Sequence, residues 1–374
     1  MRICLTVNAA WNIWNFRRPL VQALVADGHD VTVLAPRDDT AGKLEGIGAT
    51  FVDLAMDVRG LGLAQNLGLV GNFRRHFSAL QPDVVLSYTI KNNIFGAMAA
   101  RKLHIPFLPN VTGLGTIFLG SKPMFMAGKA LYRHGMGKLP IIFVQNEDDR
   151  NFLIANGLLR DEQMRLLPGS GIDLTKFAAS PLPDEGGNLS FLMISRLIRD
   201  KGTMEYLEAA RAVRQTSPHC RFQLLGPLGA ANRTVISEAE LQPYLDDGSV
   251  EYLGSTDDVR PFVEAAHCVV LPSYREGAPR SLIEAAAMGR PVITTNVPGC
   301  RAVVDDGKSG LLCEVRSALD LAESFRRFAA LSPSERQAMG EAGRVKMEAE
   351  YNVAIVIDRY RQAIAELVSH PHSA

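Results

Sequence analysis

Two glutamates of the chain, Glu276 and Glu284, are separated by seven residues in a stretch that is predicted to run from a strand into a helix. An apolar run at residues 268–271 is followed by a polar loop and then by residues that favour a helix. The backbone N–H groups at the start of such a helix lack intrahelical partners and favour a phosphate. The predicted donor-binding segment consists of Gly277, Ala278, Pro279, Arg280 and Ser281, in which every residue except the proline has an N–H to offer. The stretch therefore predicts an anion site with two carboxylates beside it.

The same spacing has a purely structural interpretation. Ser281 and Glu284 match the S-x-x-E pattern of a capping box, in which the glutamate only satisfies an N-cap amide. Glu276 would then be an ordinary solvated loop acid. The spacing alone leaves the two interpretations open.

Two cations follow another predicted strand, at residues 191–195. Arg196 and Lys201 would lie at the carboxyl edge of the sheet, where open α/β sheets bind their ligands. Arginine offers a planar fork and lysine a mobile point charge, and both suit a phosphate. The alternative is that they are solvated loop charges, as Lys and Arg usually are.

The elements that must position these residues alternate between strand and helix along the chain. Residues 3–7, 16–26 and 31–34 form a predicted βαβ opening, whose first turn (8–12) lacks the glycines of a dinucleotide fingerprint. Strands are also predicted at 83–87, 141–145, 191–195, 221–225, 250–253, 268–271 and 291–295, with helices beginning near Thr203, Val259, Arg280 and Gly299. The pattern predicts two doubly wound α/β domains.

A chain of 374 residues exceeds one ordinary core, so two domains are expected. The predicted limits are 1–167 for the first domain, 168–187 for a Pro- and Gly-bearing linker, and 188–350 for the second. Residues 351–374 carry a final helix with a helical apolar stripe that must pack on something.

Composition excludes several classes of partner and compartment. Lys plus Arg and Asp plus Glu both number 40, so no whole-chain attraction to nucleic acid is expected. The five scattered cysteines indicate buried free thiols in a reducing compartment. Neither a signal peptide nor a spanning apolar run is apparent, which predicts a soluble or peripherally membrane-bound protein.

Metal ligands are not visible in the sequence. The chain has no D-x-D triplet and no H-E-x-x-H motif. We expect activity without a metal and without a cofactor.

The motifs together resemble those of retaining glycosyltransferases of family 4. The resemblance rests on the E-x7-E pair with Gly277, Pro279 and Ala285, and on the S-R-L-x-x-x-K-G pattern that contains Arg196 and Lys201. It extends to a Gly-x-Asp-x-x-x-Phe segment at 171–177, which the family has at its domain junction. It implies the GT-B fold, with two Rossmann-like domains facing across a cleft and the last helix crossing back to the first domain.

The resemblance also implies roles. Arg196 and Lys201 would clamp the diphosphate of a UDP-sugar substrate, and Glu284 would bind its ribose hydroxyls. Glu276 would contact the donor sugar or the positive charge that develops beside it. A retaining transferase of this type reacts on one face of the sugar, so it needs no glycosidase-like carboxylate pair.

The first domain would supply the acceptor side. Six residues resemble a branch of the family that elongates polyprenyl-diphosphate-linked sugars: Phe16, Arg17, Lys91, Asn92, Thr112 and Gly113. A histidine that many members carry near Lys91 is missing. The predicted function is transfer of a hexose or N-acetylhexosamine to such a lipid-linked acceptor. A GT-B-fold UDP-sugar 2-epimerase and a catalytically silent sugar-nucleotide-binding protein are the alternatives.

Residues 122–139 have the pattern of a helix that lies in an anionic membrane interface. One stripe contains Phe125, Tyr132, Met136 and Leu139, and the adjacent stripe contains Lys122, Lys129 and Arg133. The alternative is a core helix with a solvated basic edge. A lipid-linked acceptor favours the membrane, which predicts peripheral attachment to its cytoplasmic face.

Overall fold

The structure is a computed structural model that describes residues 1–57, 63–114, 122–184, 186–229 and 234–369. The chain divides into two compact units: Met1–Gly171 together with Val353–Ala374, and Ile172–Asn352. The division falls inside the predicted linker 168–187. Ile172 and Phe177 are buried in the core of the second unit, so the chain joins that unit earlier than the sequence predicted.

The first unit contains a parallel sheet with helices on both faces. Its described strands are ordered β3-β2-β1-β4-β5-β6-β7. The strands are β1 (Arg2–Thr6), β2 (Asp30–Ala35), β3 (Thr50–Asp53), β4 (Val84–Tyr88), β5 (Phe107–Val111), β6 (Ile142–Val144) and β7 (Met164–Leu166). The helices are α1 (Ala10–Ala26), α2 (Ala41–Glu45), α3 (Leu63–Leu80), α4 (Ala97–Lys102), α5 (Lys122–Met136) and α6 (Glu147–Ala155), and a π-helical turn spans Asn92–Gly96.

The second unit repeats the architecture with a parallel sheet of described strands ordered β10-β9-β8-β11-β12-β13. The strands are β8 (Leu189–Ile194), β9 (Cys220–Leu225), β10 (Glu251–Tyr252), β11 (Cys268–Leu271), β12 (Val292–Thr295) and β13 (Gly310–Cys313). The helices are α7 (Thr203–Arg214), α8 (Glu238–Asp246), α9 (Arg260–Glu264), α10 (Arg280–Ala287), α11 (Cys300–Val303), α12 (Ala318–Ala330) and α13 (Pro333–Lys346). The predicted fold class, two doubly wound α/β units, is confirmed.

The last helix, α14 (Val353–Ser369), belongs to the first unit. Its apolar stripe, which includes Val356, Tyr360 and Ile364, is buried in the same core cluster as α1 and β1. Arg361 makes an ion pair with Asp27 at the end of α1, 2.8 Å from Nε to Oδ2. The chain therefore returns to its first unit after completing the second.

The cysteines are buried and free, namely Cys4, Cys220, Cys268, Cys300 and Cys313. Burial raises the pKa of the Cys4 and Cys300 thiols to about 12, so both are protonated near neutral pH. These thiols therefore behave as small apolar side chains of the two cores.

Candidate functional site

The donor-side residues gather at one edge of the second sheet. Arg196 follows β8 and Glu276 follows β11, and these two strands are hydrogen-bonded neighbours. Because the strands are parallel, their carboxyl ends open on the same edge. The sheet topology therefore brings together two segments that lie 80 residues apart in the sequence.

Lys201 and Glu276 form an ion pair through Nζ and Oε1. Their side chains are only 21% and 13% exposed, so water screens the pair less than it would on an open surface. Arg196 is exposed and makes no ion pair with any residue in the described ranges. This sheet edge therefore carries the guanidinium of Arg196, which has no ion-pair partner among the described residues, and the ammonium of Lys201, which the Glu276 carboxylate holds in place.

Two glycines allow this approach of the loops. Gly202 has a φ of 73°, and a Cβ added there would lie 2.0 Å from the carbonyl oxygen of Pro272. Gly299 has a φ of 78°, and its added Cβ would lie 2.3 Å from the carbonyl oxygen of Glu276. Any other residue would be strained in this conformation and would push the loops apart. Gly202 therefore lets the loop with Lys201 approach the end of β11, and Gly299 lets the loop after β12 pack against the backbone of Glu276.

Helix α10 starts at Arg280, directly after Pro279 in the N-cap position. No side chain of the described residues caps it, and its first turn contains no acidic residue. The start of this helix carries the partial positive charge of the helix dipole, which favours an anion. The capping-box interpretation is wrong, because Pro279 is the N-cap and Ser281, two positions later, is already the second residue of the helix.

Glu284 lies one turn further along α10. Its Oε1 accepts a hydrogen bond from Nε of Arg280 at 2.7 Å, and its side chain is 12% exposed. Burial raises the pKa of the Glu284 carboxyl above its ordinary value, and the Arg280 guanidinium opposes this shift. Glu284 is thus a held, nearly buried carboxylate beside the uncapped helix start.

A set of contacts that the sequence did not indicate fixes the loop before Glu276. Oγ of Ser273 and the N–H of Tyr274 both donate to the carbonyl oxygen of Asp200, at 3.2 Å and 2.9 Å. The Tyr274 hydroxyl donates to Oε1 of Glu205 at 2.7 Å. These bonds join the loop that contains Glu276 to the one that contains Lys201. In the sequence, the only indication of these contacts was that Tyr274 stands two residues before Glu276.

On the first unit, the predicted acceptor residues Phe16 and Arg17 lie on α1. Phe16 is half-buried and packs edge-on against the exposed Trp11, with 5.4 Å between ring centroids. Arg17 is 7% exposed, donates to Oδ1 of Asn12, and stacks 3.9 Å above the ring centroid of Tyr88. Arg17 is therefore a largely buried cation near the end of β4.

The predicted acceptor residues after β4 differ in accessibility. Lys91 is half-buried, and its Nζ donates to the carbonyl oxygen of Asp57 at 2.8 Å. Asn92 is fully buried; its Nδ2 donates to Oγ1 of Thr6 at 2.9 Å, and its Oδ1 accepts from Oγ1 of Thr89 at 3.0 Å. The structure therefore contradicts the predicted direct contact between the Asn92 side chain and the acceptor. Its hydrogen bonds to Thr6 and Thr89 instead hold the loop from the core side.

Thr112 and Gly113 follow β5 and are half-buried. Because β5 pairs with β4, both residues lie at the same sheet edge as Lys91. Gly115, which completes the predicted Asn-Val-Thr-Gly-Leu-Gly segment, is outside the described residues.

The apolar stripe of residues 122–139 does not face a membrane. Tyr132, Met136 and Leu139 are buried in the core of the first unit, and Phe125 packs edge-on against Phe152 at 6.5 Å between centroids. The membrane interpretation of this stripe is therefore wrong, because its side chains pack within the core of the first unit.

The basic edge of the same segment remains at the surface, as the alternative interpretation expected. Arg133 is exposed and Lys129 is half-buried, while the side chain of Lys122 lies outside the described part of the structure. Among the described residues, none of the helices is both long enough and apolar enough to cross a bilayer.

Comparison with known proteins identifies the family. Residues 188–330 match the model of group 1 glycosyl transferases, and residues 13–169 match the model of the glycosyl transferase 4-like domain. The chain is 26% identical over 377 residues to an N,N'-diacetylbacillosaminyl-diphospho-undecaprenol alpha-1,3-N-acetylgalactosaminyltransferase of Campylobacter jejuni, spanning 96% of this chain and 97% of that protein.

Solved structures share the fold. A glycosyltransferase from Rickettsia africae superposes with a TM-score of 0.79 at 16% identity, covering 98% of both chains. The Anabaena protein HepE in complex with UDP and glucose superposes with a TM-score of 0.80 at 17% identity, covering 98% of this chain and 100% of that one. The matched domains, the doubly wound sheets and the edge that carries Arg196, Lys201 and the two glutamates lead to one conclusion: the chain is a GT-B-fold glycosyltransferase that belongs to family 4.

Proposed function

We propose that the protein is a retaining glycosyltransferase that moves a hexose or N-acetylhexosamine from a UDP-sugar to a polyprenyl-diphosphate-linked sugar. The observation that carries the proposal is the single sheet edge where Arg196 follows β8 and where Lys201 pairs with Glu276, which lies in the loop that leads into α10 and Glu284. Two similarities support it: the full-length match to a transferase whose acceptor is a diphospho-undecaprenol sugar, and the fold shared with a protein that binds UDP and glucose.

The donor-side residues act on the charge of the leaving group. When the bond between the sugar C1 and the phosphate oxygen breaks, negative charge grows on the UDP diphosphate. Arg196, Lys201 and the N–H groups at the start of α10 stabilise this charge more strongly in the transition state than in the bound donor. A site of this kind raises the rate of transfer without a covalent intermediate.

The carboxylates act at the two ends of the donor. Glu284 accepts hydrogen bonds from the ribose hydroxyls. Glu276 faces the positive charge that develops on the sugar ring. The acceptor hydroxyl attacks C1 from the side that the phosphate leaves, and its proton passes to the leaving phosphate oxygen. One C1–O bond is broken and one formed on the same face, so the anomeric configuration is retained.

The experiment that tests this function uses the purified full chain and short-chain polyprenyl-diphosphate-linked mono- and disaccharides. Each acceptor is incubated with UDP-glucose, UDP-galactose, UDP-N-acetylglucosamine or UDP-N-acetylgalactosamine, and products are measured by mass spectrometry. We expect one donor to give a product one sugar longer, with its anomeric configuration retained by NMR.

The same experiment separates the alternatives. Incubation of UDP-N-acetylglucosamine without acceptor should leave it unchanged, whereas a 2-epimerase would yield the manno sugar or free UDP. Binding of UDP with no turnover on any acceptor would favour a silent binding protein. An inverted product would overturn the retaining mechanism.

Activity is expected to persist in excess EDTA. Arg196, Lys201 and the α10 N terminus supply the positive charge that a divalent cation would otherwise supply to the diphosphate. Initial rates should be equal in EDTA and in added Mg²⁺ or Mn²⁺, with a D-x-D-containing transferase as the control that EDTA inactivates. Loss of activity in EDTA that either metal restores would contradict this proposal.

We further propose that the protein contacts the cytoplasmic face of the membrane through the basic edge of α5. Each cation near an anionic surface contributes about 1 kcal/mol, so a few cations give reversible, salt-sensitive binding. We expect sedimentation with anionic but not neutral liposomes, reduced by salt and by Lys129→Glu with Arg133→Glu. The control is Lys308→Glu with Arg327→Glu, which reverses two exposed charges of the second unit. Equal binding to both liposome types, or none, would exclude this contact.

A further inference from the structure

The final helix places a tyrosine directly beneath the acceptor side of the first unit. Tyr360 of α14 is 2% exposed and lies under the carboxyl halves of β4 and β5. Its ring packs edge-on against Phe143, with centroids 5.0 Å apart, and tilted against Tyr88 at 6.4 Å. Aromatic contacts on two sides hold the ring in one orientation.

The hydroxyl of Tyr360 accepts a hydrogen bond from Nδ2 of Asn110 at 3.1 Å. Asn110 is buried near the end of β5, two residues before Thr112. Its own carbonyl oxygen accepts a bond from Nδ2 of Asn93 at 2.8 Å. The position of the Thr112–Gly113 segment therefore depends on a side chain from the far end of the chain.

The same polar layer continues beneath the other acceptor residues. Oγ1 of Thr89 donates to Asn92, whose amide donates to Thr6. Thr89 has a φ of 68°, the left-handed conformation that costs a residue with a Cβ free energy. The loop that carries Lys91 is thus held by buried side chains in a conformation that it would not adopt alone.

This layer is poorly suited to stability alone. Ser87 Oγ, Asn93 Oδ1 and Asn110 Oδ1 are buried and find no hydrogen-bond partner among the described residues. Buried polar atoms without partners cost free energy, and an apolar layer of the same shape would avoid this cost. The layer therefore contributes less to stability than an apolar layer would, and its hydrogen bonds instead fix the loops above it.

We propose that Tyr360 is a positioning residue for the acceptor: through Asn110 it sets the position of the Thr112–Gly113 segment. The inference rests on the proposed function, since it takes that segment as part of the acceptor site. Tyr360 contacts no substrate and leaves the donor site of the second unit unaffected. It therefore gives the returning helix a role in acceptor recognition.

Tyr360→Phe tests this inference, because it removes the hydroxyl and keeps the ring packing. Loss of one buried hydrogen bond should raise the acceptor KM about tenfold at saturating donor. The donor KM and the affinity for UDP should not change. The matched control is Tyr351→Phe in the second unit, where the hydroxyl of another buried tyrosine donates to the carbonyl oxygen of Ala302 at 3.0 Å. The control should lower the melting temperature without changing the acceptor KM.

A double-mutant cycle with Asn110→Ala identifies the path. If Tyr360 acts through Asn110, the double variant should raise the acceptor KM no more than Asn110→Ala alone. Thr112→Ala tests the assignment of the Thr112–Gly113 segment to the acceptor site, independently of the role of Tyr360. If Thr112→Ala raises the acceptor KM while Tyr360→Phe behaves like Tyr351→Phe, the inference is overturned and the proposed function stands. If neither variant raises it, the acceptor assignment and the inference both fail.

Discussion

Replacing Arg196 by alanine is expected to lower kcat about a hundredfold or more, with a smaller change in donor KM. The guanidinium is exposed and makes no ion pair among the described residues, so its removal leaves no buried charge behind. The loss instead falls on the charge that grows as the diphosphate departs, where one well-placed donor contributes about 3 kcal/mol. Steady-state kinetics with donor and acceptor varied separately measure this effect.

Lys201→Ala should lower kcat similarly but for two reasons, since it also leaves Glu276 without its ion-pair partner. Lys201→Arg keeps the charge and separates these two effects. The control for both positions is Arg199→Ala, which removes a cation from the same loop that is already paired with Glu240. Near-normal turnover of Arg196→Ala at saturating donor would exclude the clamp.

Glu284→Gln is expected to weaken UDP binding by about one order of magnitude. A hydrogen bond to a charged group contributes about 1.5–3 kcal/mol, and glutamine keeps the shape of the side chain but loses the charge. Titration calorimetry with UDP measures the loss directly. Glu276→Gln is the comparison: it should lower turnover and leave UDP affinity nearly unchanged, because Glu276 acts at the sugar end.

Stability distinguishes binding from a structural role of Glu284. Its folded-state pKa is raised, so the fold favours the protonated carboxyl, and stability is lost as pH rises through the unfolded and then the folded pKa. Glutamine has no charge to bury, so Glu284→Gln removes this loss of stability. The Arg280 guanidinium loses its ion pair with Glu284 in this variant, but it is exposed enough to be hydrated. The melting temperature of Glu284→Gln at neutral pH should therefore equal or exceed that of the parent. A lower melting temperature with unchanged UDP affinity would indicate that Glu284 is structural.

Much of the architecture follows from the sequence because central parallel strands are buried on both faces and appear as apolar runs. The run at 268–271 was predicted with the bounds that β11 has. Four strands were not among the predicted ranges: β3, β7 and β13 lie at the edges of the two sheets, and β5, which contains Pro109 and Asn110, lies inside the first sheet. Edge strands are short and half-solvated, so their composition carries a weaker signal. Gly310, the first residue of β13, weakens the sequence signal of that strand further.

The residues of the candidate donor site could be predicted from the sequence, but the contacts between their side chains could not. The resemblance to family 4 assigned Arg196, Lys201, Glu276 and Glu284 to one site, and the pairing of β8 with β11 places the segments that carry them at one sheet edge. The Lys201–Glu276 pair depends instead on how closely their two loops approach, and Gly202 permits this approach because its missing Cβ leaves room for the backbone of Pro272. The capping box failed for a local reason, because the helix began one residue after Pro279.

By itself, the sequence determined the alternation of strands and helices, the two doubly wound domains and the loops that carry the charged residues. These follow from local periodicity and from the geometry of parallel sheets. Only the tertiary structure decided which way a given side chain points. Tyr132 and Met136 enter the core, Asn92 turns inward to Thr6, and Tyr360 reaches Asn110 from 250 residues away. Burial of a side chain depends on partners that are distant in the chain, and no local pattern contains them.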